Sequence, residues 1–197
     1  AGAGGASSIP PEDRDVQDQR YGSRDASRRR KDPPVGAAVP LVSAAVVVVM
    51  TRDPVPGRAK TRLVPALGEI GAARLHAAMA TATLERARAT GLAVRVALAG
   101  DPSGPFAAGL RAAGFQVELQ VEGDLGDRLT HALRGPGRRI ALGTDCPIFE
   151  PNWLLDAARA ATPVAFGPSE DGGYWCVSVE GTGGKMDTGS VFRDIPW

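Results

Sequence analysis

A layered α/β/α fold around a mainly parallel sheet is predicted by three features of this sequence. Short β-branched runs alternate with longer helical segments from residue 44 onward. Glycine and proline punctuate nearly every change of period. The polar loops with the most chemistry fall where strands end. Alternation of this kind signals a sheet with helices packed on its faces, and loops at the carboxyl ends of such strands are where ligands bind.

The valine run Val46–Val49 reads as a buried strand over 44–50, because a short apolar run bounded by Pro and Gly suits a central strand. A helix is predicted over 70–90, where Leu75, Met79 and Leu84 recur at near-helical spacing and Gly91 closes the run. A strand over 93–99 leads to a helix over 105–113 ended by Gly114, then a strand over 116–120. The next helix, 125–133, has Asp124 as N-cap and Asp127 as its capping partner. A strand over 139–142, a helix over 151–161 and strands over 163–166 and 175–179 complete the series. No internal repeat interrupts it.

Composition bounds the rest. A chain of 197 residues fits one domain with a tail. Residues 1–38 are rich in Gly, Ser, Asp, Arg and Pro; they bury too little to offset ordering entropy, and a disordered tail is expected before a domain over 39–197. The net charge of +1 and 5% aromatic content give no basis for a nucleic-acid partner. The two cysteines, Cys146 and Cys176, form neither a metal spacing nor a disulfide framework, which suits a reduced, cytoplasmic compartment. The basic cluster Arg28–Lys31 followed by apolar residues 35–50 has the look of a signal sequence or anchor. Pro40 breaks that stretch, it falls short of the roughly 18 apolar residues of a spanning helix, and no membrane partner is expected.

The loop after the first strand carries Arg52, Arg58, Lys60 and Arg62, with Gly57 letting the backbone bend closely. Four cations at a strand end suit an anion, a di- or triphosphate above all. The loop is not a P-loop: Ala59 precedes Lys60 and Pro54 stands where the first glycine belongs. It reads either as a side-chain phosphate grip or as a solvated basic loop.

Two further strand ends join it. In Gly143-Thr-Asp145-Cys-Pro147 a lone carboxylate surfaces from a buried strand. Hard cations such as Mg²⁺ take one or two carboxylates plus substrate phosphates, so Asp145 either bridges an ion to a diphosphate held by Lys60 or caps the turn before Pro147. Asp171-Gly172-Gly173-Tyr174 offers a second metal ligand or hydroxyl holder in Asp171, with close backbone approach at the glycines; a tight turn explains the same residues. The segment Gly123–Arg128 could aim a helix N-terminus at an anion or nucleobase, but its acids favour capping. His76 and His131 read as structural, and Cys146 as a packing residue.

Read together, Arg-x-Pro-x-Pro-Gly-x-x-Lys-Thr-Arg-Leu, Gln120-x-x-Gly-Asp-Leu-Gly-Asp-Arg, Gly-Thr-Asp-Cys-Pro, Gly-Pro-Ser-Glu-Asp-Gly-Gly-Tyr-Trp and the final Val191–Trp197 resemble a bacterial glycosyltransferase-like family. That family lies in the glycosyltransferase A, or nucleotide-diphospho-sugar transferase, superfamily, which also includes phospholactate and molybdenum-cofactor guanylyltransferases. The resemblance runs from about residue 44 to the end. It implies a Rossmann-like nucleotide-binding fold, Mg²⁺ or Mn²⁺ on Asp145, phosphate contacts from Arg52, Lys60 and Arg62, and an acceptor side shortened by the end at Trp197.

The function expected is metal-dependent transfer from a nucleotide-activated donor, with a nucleotide sugar and an unspecified small-molecule acceptor as partners. Lys60 and Asp145 would stabilise the departing nucleoside diphosphate. The same grip serves a nucleotidyltransferase that takes a nucleoside triphosphate and releases pyrophosphate. A non-catalytic nucleotide or anion binder is the reading from another class.

Overall fold

The computed structural model describes residues 45–181 and 191–192. These fall within one compact unit, Val39–Trp197. The expected disordered tail, the Arg28–Lys31 cluster and most of the late motif lie outside the described residues.

The sheet has six strands: β1 (Val46–Arg52), β2 (Ala93–Ala99), β3 (Gln116–Leu119), β4 (Gly137–Leu142), β5 (Val164–Pro168) and β6 (Tyr174–Gly181). Their spatial order is β3-β2-β1-β4-β6-β5. Strands β3, β2, β1 and β4 run parallel, whereas β6 is antiparallel to both β4 and β5. The sheet is thus mixed but mostly parallel.

The helices are α1 (Val64–Arg88), preceded by a 3₁₀ turn at Thr61–Leu63, then α2 (Pro105–Ala112), α3 (Leu125–Ala132) and α4 (Pro151–Arg159). One face of the sheet, with Val47, Val49, Val96, Ile140, Leu142 and Cys176, packs under Leu84 of α1, Leu110 of α2 and Leu154 of α4. The other, with Ala141, Val177 and Val179, packs under Leu129 of α3, Leu133 and Phe192. The near-continuous valine run follows from this double coverage: a central strand buried on both sides needs no polar alternation. Val47 and Val49 are wholly inaccessible, and each such burial contributes roughly 1.5–3 kcal/mol.

Three expectations need correction. The first strand continues to Arg52, because parallel pairing persists through Thr51↔Leu98 and Arg52↔Ala99. The first long helix begins at Val64 rather than 70, started by Pro65 in its first turn and kinked at Gly68, whose φ is 67°. Of Leu75, Met79 and Leu84, Leu84 alone lies in its buried stripe. That stripe is Ala72, Ala73, His76, Ala80, Thr83, Leu84 and Ala87, while Leu75 is exposed. Small side chains bring the helix close to the sheet, and closeness rather than bulk decides which face turns inward.

The capping box at α3 is present in both directions: Asp127 N–H donates to Asp124 Oδ1 (2.8 Å), and Asp124 N–H donates to Asp127 Oδ2 (3.2 Å). The last two strands are longer than expected, and the loop between them shrinks to a hairpin turn over 169–173.

Candidate active site at the carboxyl edge of the sheet

Strands β1 and β4 end at the same edge, and antiparallel β6 begins there, since Leu142 pairs with Cys176. The three polar loops picked out in the sequence therefore meet along one rim. Two cavities open on it. One, of about 540 Å³, is lined by Met50, Gln120, Leu125, Arg128, Tyr174 and Trp175 among others. The second, of about 560 Å³, is lined by Arg52, Arg58, Lys60, Thr61, Arg62, Leu63, His76 and Asp145. Arg52, His76 and Asp145 border both, so the cationic cavity adjoins the more apolar one.

Lys60 and Asp145 meet across this junction. Lys60 Nζ lies 2.6 Å from Asp145 Oδ1, although 85 residues separate them in sequence. The lysine stem is largely covered (17% exposed), while the carboxylate stands open (82% exposed). Asp145 is the one carboxylate bordering either cavity among the described residues. No group of three acidic, His or Cys side chains gathers to hold a metal among those residues.

The backbone delivers Lys60 at a cost. Its φ of 50° and ψ of 44° are left-handed, and it is the one non-glycine residue with positive φ among the described residues. Such a conformation disfavours an L side chain by about 1–2 kcal/mol. It is held by what surrounds it: Ala59 is completely buried, and Leu63 N–H donates to the Lys60 carbonyl (2.8 Å) to begin the 3₁₀ turn. Asp53 anchors the start of the loop, its Oδ2 accepting from Asp101 N–H at 2.6 Å. A side chain at Gly100 would collide with that carboxylate, which is why a glycine stands there.

Of the other cations, Arg52 is exposed and its Nη1 reaches the Arg58 carbonyl at 3.5 Å. Arg62 borders the cationic cavity from the 3₁₀ turn. Gly57 does not border either cavity; it takes a φ of 73°, and a side chain there would meet the Glu69 carboxylate.

The Asp171 loop divides. Gly173 and Tyr174 line the more apolar cavity, but Asp171 and Gly172 do not. Asp171 Oδ1 accepts from Ser169 Oγ (2.5 Å) and Gly173 N–H (3.1 Å), and Gly172 N–H donates to the Ser169 carbonyl (3.1 Å). The Ser169 hydroxyl, then the Gly173 amide, hold the Asp171 carboxyl below its usual range. Both groups brace the hairpin. Tyr174 belongs to β6, and its buried hydroxyl has no hydrogen-bond partner among the described residues.

His76 was read as structural, and it is buried; it also borders both cavities. Its Nε2 lies 3.1 Å from the Arg52 carbonyl and 3.3 Å from Thr51 Oγ1, tying α1 to the end of β1. Burial lowers its pKa, the Arg52 carbonyl bond opposes this, and nearby Lys60 adds to the lowering. Nε2, facing a carbonyl oxygen, donates, and Nδ1 is buried without a partner among the described residues. A lone histidine on a helix carries no spacing that would have announced this position. Trp175 was also missed: it lines the more apolar cavity and stacks on buried Phe149, with ring centroids 5.2 Å apart.

The crystal structure of a "putative nucleotide-diphospho-sugar transferase" from Desulfovibrio desulfuricans G20 superposes with a TM-score of 0.64 and 24% identity, covering 78% of this chain and 69% of that one. The likeness establishes the fold. The chain itself belongs to the family described as "Uncharacterized protein conserved in bacteria (DUF2064)", whose profile matches residues 77–197. The match takes in Asp145 and the hairpin and begins beyond the Lys60 loop. No curated protein matches the chain.

Proposed function

We propose that this protein is a transferase that binds a nucleotide-activated donor at the junction of the two cavities, with a nucleotide-diphospho-sugar as the donor and glycosyl transfer as the reaction. The observation that carries this reading is the Lys60–Asp145 pair at the shared border, ringed by Arg52, Arg58 and Arg62. A cavity holding four cations and one carboxylate suits a diphosphate. The adjoining, more apolar cavity suits the ring system attached to it.

Asp145 fits a hard divalent cation. Its open carboxylate already accommodates a positive charge, the Lys60 ammonium, and its oxygens are the donor type Mg²⁺ or Mn²⁺ prefers. With no second carboxylate at the cavities among the described residues, Asp145 would hold the ion together with substrate phosphates. When bound, the ion would supply charge neutralisation on the leaving diphosphate. The chain's own contribution is positioning and electrostatics. Lys60 donates to a phosphate oxygen in place of Asp145, Arg52 and Arg62 flank it, and the donors are fixed before charge develops.

Nucleotidyl transfer, as in guanylyltransferases, is the second reading. It is favoured by the room in the cationic cavity, about 560 Å³, which also suits a triphosphate. A non-catalytic binder would use the same grip without turnover.

Thermal shift with nucleoside diphosphates, triphosphates and nucleotide sugars, with and without Mn²⁺, separates these readings. Stabilisation by a nucleotide sugar or diphosphate, lost in Asp145→Ala, is the expected result. Preference for a triphosphate with pyrophosphate release moves the assignment to nucleotidyl transfer. Binding that is indifferent to Mn²⁺ and without turnover indicates a sensor. No response to any nucleotide sinks both enzyme readings.

A further inference from the structure

Gln120 follows β3 and lines the more apolar cavity. Its Nε2 donates to the Thr51 carbonyl (3.0 Å) and to the Ala97 carbonyl (2.8 Å). A carboxamide has two N–H donors, and here both are engaged by the ends of β1 and β2. Two carbonyl acceptors also fix which end of the amide faces the sheet. Oε1 remains, without a partner among the described residues. Gln120 is therefore locked as an acceptor.

Arg128, on α3, lines the same cavity. Its Nε donates to the Gly123 carbonyl (3.1 Å), which sets the plane of the guanidinium. The terminal Nη groups have no partner among the described residues. Met50, Leu125 and Leu129 supply apolar lining beside these two polar groups, and Leu125 is 43% exposed on the rim. A flat, mostly apolar ring with polar edges suits this lining.

We propose that Gln120 and Arg128 select the base of the bound nucleotide, and that the base they favour is guanine. This rests on the nucleotide reading given above. Guanine presents N1–H, O6 and N7 in succession along one side. A fixed acceptor takes the N1–H, and an arginine fork takes O6 and N7, the commonest specific contact made to that base. Adenine places an amino group at the central position, where the fork would meet a donor. The amide contact that usually reads adenine needs one N–H and one C=O from the same side chain, and Gln120 has no N–H left to give. Uracil offers the fork one oxygen and no N7. Cytosine, like adenine, places an amino group where the fork needs an acceptor.

Competition between a fluorescent nucleoside diphosphate and unlabelled GDP, UDP, ADP and CDP tests this on the full chain. GDP is expected to bind roughly tenfold or more tighter than ADP, the discrimination a good bidentate pair supplies. Arg128→Lys keeps the charge and loses the fork; it should bring the GDP-to-ADP ratio close to one, and an unchanged thermal midpoint without ligand shows that the variant is folded. Gln120→Met should lower GDP binding with a smaller effect on ADP. Equal binding of all four diphosphates, tightest binding of another base, or a ratio that survives Arg128→Lys overturns the base assignment and leaves the nucleotide reading standing. If no diphosphate binds, the nucleotide reading fails, and the base assignment with it.

Discussion

Lys60 holds a left-handed backbone conformation at the point where the chain turns from the cationic loop into the 3₁₀ turn. Strain of that kind persists only where the surroundings enforce it, and it collects at functional positions. Lys60→Gly separates the two roles. Removing the side chain should relieve the backbone by up to about 1–2 kcal/mol, raising the thermal midpoint or leaving it unchanged. Nucleoside diphosphate affinity should fall at least about tenfold, the scale of a lost hydrogen bond to a charged group. A fall in both stability and affinity would make the lysine structural. His76 gives a second test at this scale. Its native pKa lies below the ordinary 6.5, chiefly through burial, so between those values the unfolded chain binds more protons than the native one. Stability then rises with pH and is lost as pH falls below about 6.5. Denaturation across pH 5–7.5 should show this slope, and His76→Gln should flatten it. Neither role was legible in the sequence, because left-handed backbone at a lysine and a shared wall between two cavities are products of tertiary packing.

Elements were easier to read than their inward faces. Every strand and helix was expected in its observed order, because β-branched runs, terminal Gly and N-terminal Pro act locally. The Asp124–Asp127 box was legible for the same reason, and Asp124→Ala should cost about 1 kcal/mol of stability. Chemical denaturation measures that loss; no change would mean that packing of Leu129 and Leu133 alone holds α3. The face of α1 was misread since bulky residues at helical spacing outweighed the alanines. Ala72, Ala80 and Ala87 are fully buried because they permit close approach, a property that depends on the opposing surface. Likewise, the 167–174 loop shortened once pairing with β6 extended β5 to Pro168. Cross-strand partners are non-local, and one strand alone cannot display them.

At the scale of the whole molecule, strand polarity assembles the site. The parallel run places the ends of β1 and β4 on one rim, which explains why loops 85 residues apart meet as Lys60 and Asp145. That convergence was legible from alternation and the rule that ligands bind at carboxyl ends. The separation of Asp171 from the cavity was not, because it depends on how the hairpin closes on itself. With Arg52, Arg58 and Arg62 open to solvent, nucleotide binding should weaken several-fold between about 0.05 and 0.5 M salt, as screening dictates. Titration calorimetry at the two salt levels checks this; an unchanged affinity would place the phosphates away from the loop. The reversed direction of β6 has one more consequence. A parallel crossover needs a dozen or more residues and a packed helix, whereas the hairpin over 169–173 closes on its own Ser169–Gly173 bonds. Lengthening a surface loop costs only about 0.6 kcal/mol per doubling. The cavity wall at Gly173 and Tyr174 can thus be remodelled by design while β1 and β4 stay in place, leaving one rim free to change around a fixed Lys60–Asp145 pair.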